Sequence, residues 1–307
     1  MPSKTPKLHV SRHVNIRGLR IHYLESSLEQ SPSSGPPLIF LVGWPTASAL
    51  YVPLLHLIAP HNKCYVVDLP GYGGSESDMN VYSGFDYYLD FLRIFHMDVV
   101  GSGPVHLLGY STGGVHAINY AHKHPESVCS LTVFSVPYDG IEQFAAMEKN
   151  SASRLKMMRK LHPFFTRHKN LIKLINARPV KIIAIAFFYV VIYTRLYPQM
   201  LKKVRKRHLF RSLYKTSQFN IKSIFDLAID LSMNSFTHVA QLVHTPTLVL
   251  SAQNDTAVLP ERSSRLAGIM PRATYECIPD ADHAVGITDP QKIFIPLDRH
   301  LRGFHTR

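Results

Sequence analysis

The sequence predicts an α/β domain, in which a mostly parallel central sheet is flanked by helices and interrupted by a helical cap insertion. Three observations lead there. Short, mostly apolar runs at 38–42, 64–67, 105–108 and 247–251 read as strands. Stretches of helical pattern separate them, as crossover connections between parallel strands require. About a hundred residues between 136 and 246 contain several helical stretches and no clear strand. At 307 residues and 46% hydrophobic content, the chain is long enough to bury one large core.

The elements follow in order. Residues 8–15 and 19–26 alternate in polarity around Arg17-Gly18, which predicts an antiparallel hairpin at the sheet edge. Ser31 to Pro37, rich in Ser, Pro and Gly, reads as a surface loop. Helices are expected at 47–59, 86–99, 112–124, 260–269 and 290–302. No internal repeat is visible. The division expected is a core formed by 1–139 and 241–307, with 140–240 as the cap.

Chemistry concentrates where strands end. Val105-His106-Leu107-Leu108 runs into Gly109-Tyr110-Ser111-Thr112-Gly113, and a helix-forming stretch follows. That is a strand, a one-residue corner and a helix. Glycines flank the serine because side chains there would collide with the adjoining strand and helix, and the corner pushes the serine oxygen into the open. Leu38–Val42 leads into Gly43-Trp44-Pro45, and Cys64–Val67 into Asp68-Leu69-Pro70-Gly71-Tyr72-Gly73-Gly74-Ser75. Thr247–Ser251 leads into Gln253-Asn254-Asp255, and Thr274–Ile278 into Pro279-Asp280-Ala281-Asp282-His283. In a parallel sheet these ends open on one edge, so the order Ser, Asp, His can converge there.

With these motifs, over about residues 9–139 and 241–303, the chain resembles the α/β-hydrolase family. The resemblance implies Ser111 as nucleophile, His283 as base and Asp255 as the orienting acid. A serine hydroxyl is a weak nucleophile near neutral pH and needs such a pair. Asp139, after the strand ending Ser135-Val136-Pro137, occupies the family's other place for the acid. The oxyanion donors implied are the backbone N–H groups of Thr112 and Trp44. Relatives usually carry His-Gly at the early loop, where this chain has Val42-Gly43. Asp68 to Ser75 reads as a structural turn, and Asp280 and Asp282 as turn carboxylates. The activity implied is serine ester hydrolysis on a carboxylic or lipid-like small-molecule ester. A carbon–carbon bond hydrolase on the same triad, or a silent member that binds a ligand or membrane, stands as the alternative.

Composition narrows the rest. The three cysteines, Cys64, Cys129 and Cys277, fall in expected strands without framework spacing, which suits reduced thiols in an intracellular protein. The first ten residues lead into no apolar signal core, so a cytoplasmic location is expected. No Cys/His cluster has zinc-ligand spacing and no glycine-rich phosphate loop is present, so neither metal nor cofactor is expected. The net charge is +13, yet residues 151–216 hold 17 of the 34 Lys and Arg and no acid. Within them Ile182–Thr194 is nearly all apolar and aromatic, too short for the about 20 residues of a membrane span. Two readings follow: a buried cap helix over an apolar pocket, or a wedge with cationic flanks resting peripherally on an anionic membrane. Nucleic acid is disfavoured, since no nucleic-acid fold signature accompanies the charge.

Overall fold

The computed structural model describes residues 8–27, 35–43, 46–140, 167 and 220–304. Most of the cap, with its basic stretch and the run at 182–194, lies outside them. The chain begins with β1 (His9–Ile16) and β2 (Leu19–Ser26), paired antiparallel. Their turn places Arg17 and Gly18 at φ 51° and 81°, the left-handed backbone that a tight reversal needs. Then come β3 (Leu38–Leu41), α1 (Val52–Ile58), β4 (Cys64–Val67), α2 (Phe85–Phe95), β5 (Val105–Tyr110), α3 (Thr112–Lys123) and β6 (Val128–Phe134). From residue 220 onward follow α4 (Ile221–Met233), α5 (Thr237–Gln241), β7 (Thr247–Ala252), α6 (Pro260–Ile269), β8 (Ala273–Ile278), α7 (Val285–Thr288) and α8 (Pro290–Arg302).

The eight strands form one sheet in the order β1-β2-β4-β3-β5-β6-β7-β8, parallel from β4 to β8. Every residue of β3, β4, β5 and β7 is buried, because helices cover both faces and the sheet splits the core in two. On one side Ile39, Leu41, Val67, Val115 and Ile118 pack with α2 and α3. On the other, Phe40, Val66, Leu108 and Leu250 pack with α1 and α8. The exposed edge β1 carries His9, Arg12 and His13, polar and charged groups that discourage further strand pairing. Cys64 is fully buried, whereas Cys129 and Cys277 are only partly so; all three are free thiols. Burial pushes the Cys64 thiol far up and that of Cys129 to about 11.

The segment entering α4 is tied to the loop after β4. Asn220 N donates to Gly71 O at 3.0 Å, and a Cβ on Gly71 would sit 2.5 Å from Ser223 Oγ. Farther along α4, Asp226 accepts from Ser83 N and Asp230 from Phe85 N, the latter capping α2. Burial pushes the Asp230 carboxyl up. No helix among the described residues is long and apolar enough to cross a membrane.

His116 of α3 is enclosed by the core. Its ring centroid lies 5.0 Å from Phe85 and 4.8 Å from Tyr88, and neither nitrogen has a partner among the described residues. Burial pushes its pKa down from 6.5 to about 3. The folded form therefore stays neutral where the unfolded chain takes up a proton. Stability from this group is complete above about pH 6.5 and falls as pH drops towards 3, by at most about 1.4 kcal/mol per pH unit. Between pH 6.5 and 5 the expected loss is about 2 kcal/mol. Denaturant unfolding of the wild type and His116→Phe across that range checks this: the variant should show the shallower dependence, and equal slopes would refute it.

Candidate active site

Ser111 stands between β5 and α3 with φ 54° and ψ −123°. A non-glycine residue here is strained, and such strain gathers at functional sites. Neighbouring contacts make the strain obligatory. A Cβ on Gly109 would lie 2.4 Å from Gly114 Cα, and one on Gly113 would lie 2.1 Å from Leu41 O, so the turn closes only with glycine at both flanks. Ser111 N donates to Phe134 O of β6 at 2.8 Å. Thr112 is buried as the first residue of α3, where backbone N–H groups have no intrahelical partner. From β3, Gly43 comes so close that a Cβ there would sit 2.9 Å from Ser111 Cβ and 3.6 Å from its Oγ. Trp44 lies outside the described residues, whereas Val42 is fully buried in the second core cluster.

Asp255 and His283 are brought together. Asp255 follows β7, is 2% exposed, and accepts His283 Nδ1–H on Oδ2 at 2.7 Å. Its Oδ1 accepts Ala257 N at 2.8 Å and Val258 N at 2.9 Å. Burial alone would push this carboxyl up. The His283 charge and hydrogen bond, together with the Val258 amide, outweigh that and hold it below the usual carboxylate range. With Nδ1 donating, the neutral imidazole presents Nε2 as its acceptor. Asp139 instead bridges Ser235 antiparallel. The next residue, Gly140, packs so tightly that a Cβ would lie 1.7 Å from Leu231 O of α4. Asp282 accepts Ala284 N at 2.9 Å, and Asp280, at φ 49°, takes the turn.

Tyr110 is the contact that the sequence did not disclose. Its hydroxyl donates to His283 O and accepts Gly286 N at 3.2 Å. Its ring lies 5.9 Å from that of His283, and Phe134 lies 6.2 Å from it. The residue preceding Ser111 thereby holds the His283 loop over the same sheet edge. A Cβ on Gly286 would strike the Tyr110 ring at 2.6 Å, so the approach depends on that glycine. Among the described residues no group of three or more His, Cys, Asp or Glu could hold a metal ion.

A family model described as the alpha/beta hydrolase fold matches residues 36–290. The chain belongs to the α/β-hydrolase fold family. Among curated relatives, the pimeloyl-[acyl-carrier protein] methyl ester esterase of Aeromonas salmonicida (strain A449) is 38% identical over 104 residues, covering 34% of this chain and 39% of the relative. That of Xylella fastidiosa (strain M12) is 30% identical over 92 residues, 30% of this chain and 33% of the relative. The chain thus spans about two fifths or less of the length of these relatives. A thermophilic esterase from Thermogutta terrifontis superposes with a TM-score of 0.72 at 18% identity, covering 97% of this chain and 99% of the other. A haloalkane dehalogenase loop variant from Bradyrhizobium elkanii does so with 0.72 at 17%, covering 97% and 98%. At such identities the superpositions establish the α/β-hydrolase fold alone, and fold does not fix function.

Proposed function

We propose that the protein is a serine hydrolase that cleaves a carboxylic or lipid-like ester through an acyl-enzyme. The observation that carries this reading is the buried Asp255–His283 hydrogen bond, on the sheet edge where Ser111 occupies its strained corner. His283 Nε2 takes the hydroxyl proton as Ser111 Oγ bonds to the ester carbon. Asp255 keeps Nδ1 protonated and stabilises the imidazolium that forms. The carbonyl oxygen becomes an oxyanion, held by the Thr112 N–H and by the loop after β3 that carries Trp44. Collapse expels the alcohol with the proton from His283, and water repeats the sequence to release the acid. Tyr110 holds the His283 backbone and is a positioning residue in this scheme. The methyl ester named as substrate of the curated relatives supports the carboxylic-ester assignment. Asp255 is assigned over Asp139 because His283 donates to Asp255.

We assign the apolar run at 182–194 to cover of the acyl chain, and the 17 cations of 151–216 to an anionic membrane surface, where each near-surface cation contributes about 1 kcal/mol. Three free cysteines suit a reducing compartment. A panel of p-nitrophenyl esters tests the reaction class: turnover should rise with acyl length. Protein that labels at Ser111 but hydrolyses no ester would point to the carbon–carbon bond reaction.

The membrane assignment has its own test. Wild-type protein should co-sediment with phosphatidylserine vesicles at low salt. It should release as the Debye length falls from about 10 Å at 0.1 M to about 3 Å at 1 M. Replacing Lys202, Lys203, Arg205, Lys206 and Arg207 with Gln should weaken binding and leave turnover of a short soluble ester unchanged. Protein that stays in the supernatant at low salt would remove the assignment.

A further inference from the structure

The turn after β4 is built around one carboxylate. Asp68 is 1% exposed, and each of its oxygens is engaged. Oδ1 accepts Ser48 N at 2.6 Å; Oδ2 accepts Gly74 N at 2.9 Å and His22 Nδ1–H at 2.7 Å. The residues of the turn follow from that. A Cβ on Gly73 would lie 2.2 Å from Asp68 Oδ2, and one on Gly74 would lie 2.8 Å from His22 Cγ. Ser75 Oγ donates to Asp68 O at 2.6 Å and accepts His22 N at 2.9 Å. On the far side of the imidazole, Nε2 pairs with Ser11 Oγ at 2.8 Å, which fixes the ring from both nitrogens.

Ser11, His22 and Asp68 thus form a hydrogen-bonded row of serine, histidine and aspartate. The row is no second nucleophilic site. Ser11 lies mid-strand on the exposed β1 edge in extended backbone, whereas Ser111 is held in a strained corner between a strand and a helix. The inner end of the row points elsewhere. Ser48 is fully buried, and its amide is the donor by which the Asp68 carboxylate grips the far end of the loop that leaves β3. The near end of that loop is Gly43, packed on Ser111 Cβ. Between them Thr46 turns back, donating through N to Gly43 O at 2.9 Å and through Oγ1 to the same oxygen.

We propose that His22 is a positioning residue which, through Asp68 and Ser48, fixes Thr46 and Gly43 against Ser111. Asp68 alone could rotate about its last side-chain bond. With His22 and Gly74 both on Oδ2, Oδ1 is aimed at Ser48. The inference rests on the serine-esterase reading, in which this loop carries an oxyanion donor. A shift of about 1 Å in a supporting element can cost about 10²-fold in rate.

The test uses three substitutions in the full chain. His22→Phe keeps a ring and loses the Nδ1 donor. His22→Gln offers its amide near the Nε2 position, and His22→Asn offers one near Nδ1. The expected result is that Phe and Gln lower kcat on a short p-nitrophenyl ester about 10- to 100-fold with KM within about threefold, while Asn recovers activity to within about threefold. Binding of a trifluoromethyl ketone, which forms the tetrahedral oxyanion, should weaken in step with kcat. Amide exchange at Ser48 should quicken at least about tenfold in Phe and Gln and not in Asn. Wild-type rates in His22→Phe would overturn the proposal and leave the esterase reading standing. Equal losses in all three variants, matched by a lower Tm, would overturn it by reducing His22 to a structural residue. If the wild type itself hydrolyses no ester, the esterase reading falls, and unchanged exchange at Ser48 in His22→Phe would then overturn this one separately.

Discussion

A fluorophosphonate probe is expected to label the wild-type protein once, at Ser111, and to leave Ser111→Ala unlabelled. The probe needs a serine oxygen that is both exposed to an electrophile and relieved of its proton. Ser111 is held in a strained corner, φ 54°, by glycines whose replacement would collide with Gly114 and Leu41. Its substitution by alanine leaves those contacts intact, so the fold and Tm should be unchanged while kcat falls by about 10⁶-fold. His283→Ala should remove labelling nearly as well, because members of such a set act as a unit. Folded wild-type protein that does not label, or a Ser111→Ala protein that labels equally, would leave a family member that binds without catalysis. Mass spectrometry of the labelled peptide decides between these outcomes.

The features of the fold visible in the sequence were those with a local cause. β3, β4, β5 and β7 read as strands because helices bury both faces, so apolar runs replace alternation. The helices expected at 260–269 and 290–302 are α6 and α8, and each starts on a proline, Pro260 and Pro290, at the first helical position, where a missing N–H has no consequence. The expected helix 47–59 is instead a single turn, Ser48–Leu50, followed by α1, with Tyr51 between them at φ −98° and ψ 11°. Pro53 explains the break, since a proline disfavours helical backbone in the residue before it. The helix expected over 86–99 ends its regular part at Phe95, and a wider turn over His96–Val100 closes at Gly101, φ 119°.

Contacts set by the strand order were not legible. Tyr110 reaches His283 across 173 residues of sequence and His22 reaches Asp68 across 46. Both depend on which strands are neighbours, which periodicity does not encode. The turn Asp68–Ser75 could be read as structural, but the imidazole around which its glycines are arranged could not. For the acid, the sequence offers carboxylates after two strands, and in the proposed scheme the hydrogen bond to His283 separates Asp255 from Asp139.

That separation gives the second large effect. Asp255→Asn is expected to lower kcat by about 10⁴-fold, the loss seen when an orienting aspartate is replaced by its amide. The amide can turn its N–H₂ towards His283, which favours the tautomer with the proton on Nε2, where Ser111 needs an acceptor. The loss should therefore fall on kcat with KM nearly constant. Asp139→Asn should change kcat by less than about threefold, because Asp139 engages Ser235 through its backbone and that bridge survives the substitution. Stability separates the two as well. The Asp255 carboxyl is held below its usual range, so its contribution to folding is complete above the unfolded value of about 3.9 and is lost as pH falls through the lower folded value. Replacement by the neutral amide should remove that part of the acid sensitivity, read as a shallower fall in Tm below about pH 4. Should Asp139→Asn be the variant that loses activity, the acid belongs after β6 and the reaction class still holds. Should neither lose it, His283 works without a carboxylate partner, and the role assigned here to the Asp255–His283 pair is wrong.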